Sequence, residues 1–251
     1  MANKNAQSDK GAAWVNVQSR SVSSQIVDNV RESLFRGELK PGDFLGSEND
    51  LAQKLGVSRV PVRDAFKALQ ALGIIEVKVG AKGGARIASA DPNLFADALA
   101  VQLLLVGITV EEMFNSQIAI EVMATELAAK HATSEDLQTL RDYIAELESM
   151  CLRPMTKPVA LRFTEVSMCF HEALVDAAHN RALAAQFKAL RRVLEPIYAR
   201  RTSDTVAKHV VASHKTLLNS IADGDVEKAC RLMRRRLETI RAHHLLKTIE
   251  A

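Results

Sequence analysis

Ile26, Val30 and Leu34 recur at four-residue spacing, which predicts a first helix over about residues 21–35. The stretch "RGELKPGDFLG" breaks it with glycine and proline. In "SENDLAQKLGVSRVPVRDAFKALQALG" the pattern predicts two helices joined by a tight turn. Ser47 caps the first, Asp50 stands where a capping-box acid belongs, and Leu51, Ala52 and Leu55 form its buried face. Gly56 is a left-handed stop, followed by Val57 as the apolar residue that packs back. Ser58 caps the second helix, and Pro61 falls in its first turn, where a missing N–H does no harm. On that helix Val62, Ala65, Phe66, Leu69 and Leu72 share one face, while Arg59, Arg63, Lys67 and Gln70 share another. "IIEVKVGAKGGARIA" then alternates as a pair of strands would, around a glycine-rich basic tip at residues 80–84.

At "ASADPN", residues 88–93, strand-like residues give way to Asp-Pro and then to helix. This divides the chain into a flexible, polar lead-in over 1–20, a first domain over 21–89 and a second over 92–251. Beyond the boundary only helices are expected. "TVEEMFNSQIAIEVMATELAAKH" starts on Thr109, and "TSEDLQTLRDYIAELESM" has its own Thr/Ser cap with acids behind it. Pro158 opens a helix after the loop "LRPMTKP", and His179-Asn180 breaks it. Pro196 kinks or ends the helix that follows. Two more helices flank the Asp-Gly-Asp turn at residues 223–225. Six or seven such helices make an all-α bundle, so the fold class is mainly α.

Composition adds three constraints. Apolar residues at 47% support a real core, and aromatics at 4% mean that it is built mostly from aliphatic side chains. No apolar run reaches membrane-spanning length, and the N-terminus lacks the apolar stretch of a signal peptide. The three cysteines form no CxxC pair, which fits a reducing cytoplasm. The formal charge of +3 is unevenly spread: residues 1–90 carry 13 Lys+Arg against 9 Asp+Glu, and residues 91–251 carry 20 against 21. The basic excess is therefore N-terminal, as a polyanion partner would need.

That excess gives the two arginines on the second helix a use. Arginine pairs bidentately with the O6/N7 edge of guanine or clamps phosphates, and side chains near a helix N-terminus reach furthest into a major groove. The N–H groups near Ser58 suit a phosphate. A basic hairpin tip holding Lys82 and Gly83 suits the adjacent minor groove. Exposed arginines on an amphipathic helix are more often only a solvated face, and the wing and the charge asymmetry weigh against that reading.

In the second domain His171 shares a face with Ser167, Met168, Leu174, Val175 and Ala178. His214 shares one with Val210, Val211, Leu217, Leu218 and Ile221, and Arg236 with Ala229, Met233 and Ile240. All three point inward by helical phase. A lone inward histidine is usually a hydrogen-bonded core residue. An inward guanidinium needs an anionic partner, because burying it unpaired is costly. The arginine runs at 191–192, 200–201 and 234–236 are more often solvated faces than nucleic-acid patches, with Arg234 and Arg235 pointing away from the inward face of Arg236.

"LKPGDFLGSENDLAQKLGVSRVPVRDAFKALQALGIIEVKVGAKGG" resembles the winged helix-turn-helix of the GntR family of bacterial transcription regulators. The helical remainder resembles the FadR-like branch with an FCD-type ligand-binding domain, in "FHEALVDAAHN" and "HKTLLNSIADGDVEKACRLM". The resemblance implies a homodimer that binds a palindromic double-stranded operator and responds to a small metabolite, often a carboxylate. Matched by position, the DNA contacts are Ser47, Asn49, Ser58, Arg59, Val60, Arg63, Lys82 and Gly83, with Asn49 where many members have arginine. Many FCD domains hold a divalent metal through an Asp and three histidines. His171 and His214 match two of these positions, but Ser167 stands at the Asp and Arg236 at the last histidine, and Gln117 replaces a frequent arginine. A cavity that holds an organic acid directly, lined by Gln117, Glu121, Ser167, His171, His214 and Arg236, fits better than a metal or other cofactor. Glu121 is the rival partner, which would satisfy Arg236 internally. The expectation is thus a cytoplasmic, dimeric, ligand-responsive repressor, neither enzyme nor membrane protein. The alternative is a small helical metalloprotein or enzyme using His171 and His214.

Overall fold

Ser21 caps α1 (Val22–Phe35), its hydroxyl accepting from the Ser24 N–H at 3.1 Å. The computed structural model describes residues 20–248, apart from Val79, Ala81, Lys82 and Arg201, with side chains described up to residue 242. The lead-in expected over 1–20 lies outside these residues except for Arg20. The chain forms two compact units that divide between Ala90 and Asp91.

In the first unit α1 is followed by β1 (Phe44–Gly46), α2 (Glu48–Leu55), α3 (Arg59–Ala71), β2 (Ile75–Lys78) and β3 (Gly84–Ile87). The strands form an antiparallel sheet in the order β1-β3-β2, with Ile75 opposite Ile87 and Lys78 opposite Gly84. β1 is a third strand beyond the expected pair and falls in the segment 36–46, where the pattern predicts only a break. β1 has three residues, too few to show alternation. Its approach to β3 depends on Gly84, at φ +147°, where an added Cβ would lie 2.8 Å from the Gly46 carbonyl oxygen. Ile26, Val30, Ala52, Val62, Ala65, Phe66, Leu69, Ile75, Ala85 and Ile87 make the core. Two expected core residues are not in it. Leu55 is the last residue of α2, before left-handed Gly56, and Leu72 is the C-cap of α3; both are exposed. Each falls where the helix stops and its face no longer continues.

The second unit is entirely helical among its described residues: α4 (Pro92–Val106), α5 (Val110–His131), α6 (Ser134–Met150), α7 (Lys157–Asp176), α8 (Arg181–Ala199), α9 (Asp204–Ala222) and α10 (Val226–Thr248). Full capping boxes start α5 at Thr109 with Glu112 and α6 at Thr133 with Asp136. α5 runs through the middle, touching α7, α8, α9 and α10, while α4 packs on α8. Phe163, Phe170, Leu174, Phe187, Leu217 and Leu237 are among the fully buried side chains. Pro196 lies inside α8, which continues to Ala199, so the Arg192 carbonyl receives no helical N–H. Arg191 corrects the solvated-face reading of its pair: it is mostly buried and bonds Glu195, Glu172 and the Cys169 sulfur. Its neighbour Arg192 is exposed and pairs with Asp97 on α4 at 2.9 Å. Among the described residues no helix is long and apolar enough to cross a membrane.

The Thr109 cap is open to direct test. Its hydroxyl accepts from the Glu112 N–H at 3.2 Å and donates to the Glu112 carboxylate at 2.6 Å. Thr109→Ala is expected to lower stability by about 1 kcal/mol in urea unfolding followed by far-UV circular dichroism. An unchanged midpoint would mean that α5 does not depend on this cap.

Candidate nucleic-acid interface and buried effector site

α3 is anchored by Val62, Ala65, Phe66 and Leu69, all buried, which fixes the opposite face outward. Arg59, Val60 and Arg63 are exposed there, and Asn49 is exposed near the start of α2. Ser47 is committed to its capping box: its hydroxyl donates to the Asp50 carboxylate at 2.8 Å and accepts from the Asp50 N–H at 3.2 Å. Ser58 occupies the N-cap of α3, but its hydroxyl makes no capping bond, contrary to the expected cap. It is left available to an outside acceptor. Gly83 N–H bonds the Gly80 carbonyl at 2.8 Å, and a side chain at Gly83 would collide with the Lys78 carbonyl. Lys82 lies outside the described residues.

Sequence reasoning passed over Glu48. Its Oε2 lies 3.2 Å from Arg63 Nε and 3.5 Å from Arg59 Nη2. One carboxylate thus bridges both arginines across the turn. Exposed pairs of this kind contribute only about 0–1 kcal/mol to stability, so the consequence is orientation. An acid just after a helix cap signals only a favourable dipole interaction, which is why the sequence hides this role.

The second cluster is buried. Glu121 on α5 has no exposed surface. Its Oε1 accepts from Gln117 Nε2 at 2.6 Å and its Oε2 from His171 Nδ1 at 2.5 Å. Tyr198 on α8, also unforeseen, donates to Gln117 Oε1 at 2.7 Å. His171 Nε2 lies 3.2 Å from His214 Nε2, and the His214 ring stacks on Phe170 with centroids 4.0 Å apart. A carboxylate only accepts, so Nδ1 of His171 carries the hydrogen. Nε2 of a neutral His171 then accepts from His214, and Nδ1 of His214 is left a bare acceptor. That nitrogen has no partner, and neither have Nε and Nη1 of Arg236 or Oγ1 of Thr125, all of them buried atoms.

Electrostatics follow from this burial. Desolvation, then the charge of Arg236, then His171 hold the His214 pKa well below the usual histidine range, so its ring is neutral at physiological pH. Burial lowers the Arg236 pKa, while Tyr198 and Glu121 oppose that. Burial, then the Glu121 charge, pushes the Tyr198 phenol up. No ion pair joins Arg236 to Glu121, each of whose oxygens accepts a hydrogen bond from another residue. The structure therefore brings Gln117, Glu121, His171 and His214 into one bonded chain, with Arg236 close enough to act on His214 electrostatically but unpaired. Ser167 is buried on the His171 face. The two imidazoles lie beside a guanidinium, and no group of three or more His, Cys, Asp or Glu side chains that could hold a metal ion occurs among the described residues. The surface groove lined by Asn115, Ala119, Met123 and Arg234 includes none of these residues.

Residues 22–84 match the model of bacterial regulatory proteins of the gntR family, and residues 112–239 match the FCD domain. The chain is 28% identical over 202 residues to the HTH-type transcriptional regulator LutR of Bacillus subtilis, covering 77% of this chain and 87% of that one. It is 26% identical over 225 residues to the Uxu operon transcriptional regulator of Escherichia coli, covering 84% and 82%. Among solved structures, a Streptococcus agalactiae GntR protein shares the fold, with TM-score 0.57, 19% identity and coverage of 88% of this chain and 100% of that one. The chain belongs to the GntR family, with an N-terminal helix-turn-helix domain and a C-terminal FCD domain, and is a DNA-binding transcription regulator.

Two substitutions test the DNA face. Arg59→Ala or Arg63→Ala is expected to weaken operator binding by about 1–3 kcal/mol each, and unchanged gel-shift affinity would remove both from the interface. Glu48→Gln is expected to narrow the gap between operator and random-sequence affinity at one salt concentration; an unaltered ratio would leave Glu48 a helix-dipole residue only.

Proposed function

We propose that this GntR-family protein is a cytoplasmic repressor that binds a palindromic operator as a homodimer and is released by a small organic acid held in the FCD domain. α3 enters the major groove, with Arg59 and Arg63 reading bases, Ser58 and Asn49 on the backbone, and the wing in the adjacent minor groove. One winged domain makes too few contacts for typical specific affinity, and two-fold protein symmetry matches half-sites about one helical turn apart. The relative from Escherichia coli is named for the operon it regulates, which fits control at an operator.

The observation that carries the effector reading is the unpaired state of Arg236. Its Nε and Nη1 are buried without a partner, as is Nδ1 of His214, while the two oxygens of Glu121 accept from Gln117 and His171. This weighs against the rival in which Glu121 satisfies Arg236. A carboxylate would meet the planar guanidinium in a bidentate, charge-assisted pair, and a hydroxyl on the same ligand would donate to His214 Nδ1. Arg236 takes the place of a metal in this reading, and no cofactor is required. Ligand on α10 and α9 would reset their packing on α5 and shift the population toward a dimer geometry that no longer spans both half-sites. The alternative, a metalloprotein or enzyme using His171 and His214, has no support in the family assignment.

A thermal-shift screen of small carboxylates identifies the effector, because a ligand of the native state raises its melting temperature. Arg236→Met should then bind operator normally and fail to release with that acid. A merely structural Arg236 predicts instead a destabilised protein that still responds in proportion to its folded fraction. Stoichiometric metal in the purified protein, lost together with effector response on chelation, would overturn the anion reading.

A further inference from the structure

Val60 stands in the first turn of α3 and is 64% exposed, whereas Val62, Ala65, Phe66 and Leu69 on the same helix are buried. A β-branched residue is a weak helix former, so nothing in the helix itself calls for it there. Leu55 and Leu72, also exposed, lie where a helix stops. Val60 lies where a helix begins, next to Arg59 and three residues before Arg63. Ser58 beside it makes no capping bond.

Helical phase separates the valine from the two arginines. At 3.6 residues per turn Val60 points about 170° away from the centre of the buried face, Arg63 about 110° and Arg59 about 70°. Both guanidiniums turn toward α2, where Glu48 Oε2 lies 3.2 Å from Arg63 Nε and 3.5 Å from Arg59 Nη2. The tip of α3 therefore has two sides. Hydrogen-bond donors stand on the side of α2, and beyond them a branched hydrocarbon stands furthest from the core. A side chain without donor or acceptor reads no base edge by hydrogen bonds, and against a phosphate it would desolvate the charge without pairing it. The one methyl group that the major groove presents is the 5-methyl of thymine. We infer that Val60 reads a thymine methyl beside the base pairs that Arg59 and Arg63 read, and so selects a T·A pair at that place in the operator. The inference rests on the major-groove reading of α3 above and adds the base that this position selects. The valine χ1 is held in one rotamer within a helix, so the contact costs little side-chain freedom.

The probe is double-stranded DNA selected by the wild-type protein from a random-sequence library. Each thymine is replaced in turn by uracil, which removes the methyl and keeps every hydrogen-bonding group. Affinity is read by gel shift at one salt concentration. At one thymine position the wild type is expected to lose about fourfold on replacement, the equivalent of one buried methyl group. Val60→Ala is expected to bind the unreplaced DNA more weakly and to show no further loss with uracil at that position. Alanine is the better helix former at this exposed site, so the variant is expected to keep the wild-type melting temperature. Val60→Ser, which also lacks both γ-methyl groups, serves as a second variant with the same expected result. Arg59→Ala tells the two levels apart. Unchanged affinity in Arg59→Ala would overturn the major-groove reading and this inference with it. Weakened binding in Arg59→Ala, with no thymine sensitive to uracil in the wild type, would overturn the inference alone. So would a sensitive thymine that stays equally sensitive in the Val60 variants, since its methyl then meets another residue.

Discussion

A carboxylate with no exposed surface sits at the middle of the helical domain, and its neighbours are arranged around it. Burying Glu121 without donors would cost several kcal/mol, so α5 and α7 each supply one. Gln117, by donating to Glu121, has its own carbonyl oxygen left over and takes Tyr198 from α8. His171, by donating through Nδ1, turns Nε2 to His214 on α9. One acid thereby fixes side chains on four helices and the hydrogen position on both imidazoles. Arg236 makes no ion pair with this acid, and its Nε and Nη1 stay buried without a partner. A guanidinium left in this state favours any small anion that can enter.

The first unit sets a carboxylate between two arginines in a different dielectric. Glu48 stands at the surface, where water screens the pair and the arginines remain exposed. Glu121 stands where water is excluded. Little energy holds the two arginines to the surface acid. The buried acid holds its partners in place, while Nε and Nη1 of Arg236 stay unpaired. The same kind of group thus stands in opposite solvation in the two units.

Helical phase made much of this legible beforehand. The inward faces of His171, His214 and Arg236 follow from apolar neighbours at three- and four-residue spacing, and each is where that spacing puts it. The arginine face of α3 was visible for the same reason. What stayed hidden required contact between segments distant in sequence. Tyr198 reaches Gln117 from another helix, Arg191 is buried by acids on two helices, and β1 exists only because β3 offers a free edge. Leu55 and Leu72 were misjudged because periodicity does not say where a helix ends.

Recognition of the proposed effector by its negative charge is open to titration of the operator-bound protein, followed by fluorescence anisotropy of labelled DNA, with the acid that stabilises it most and with the corresponding carboxamide. Release is expected with the acid, and with the isosteric amide only at concentrations at least about tenfold higher, as loss of a charge-assisted pair requires. Equal release by acid and amide would rule out recognition by charge.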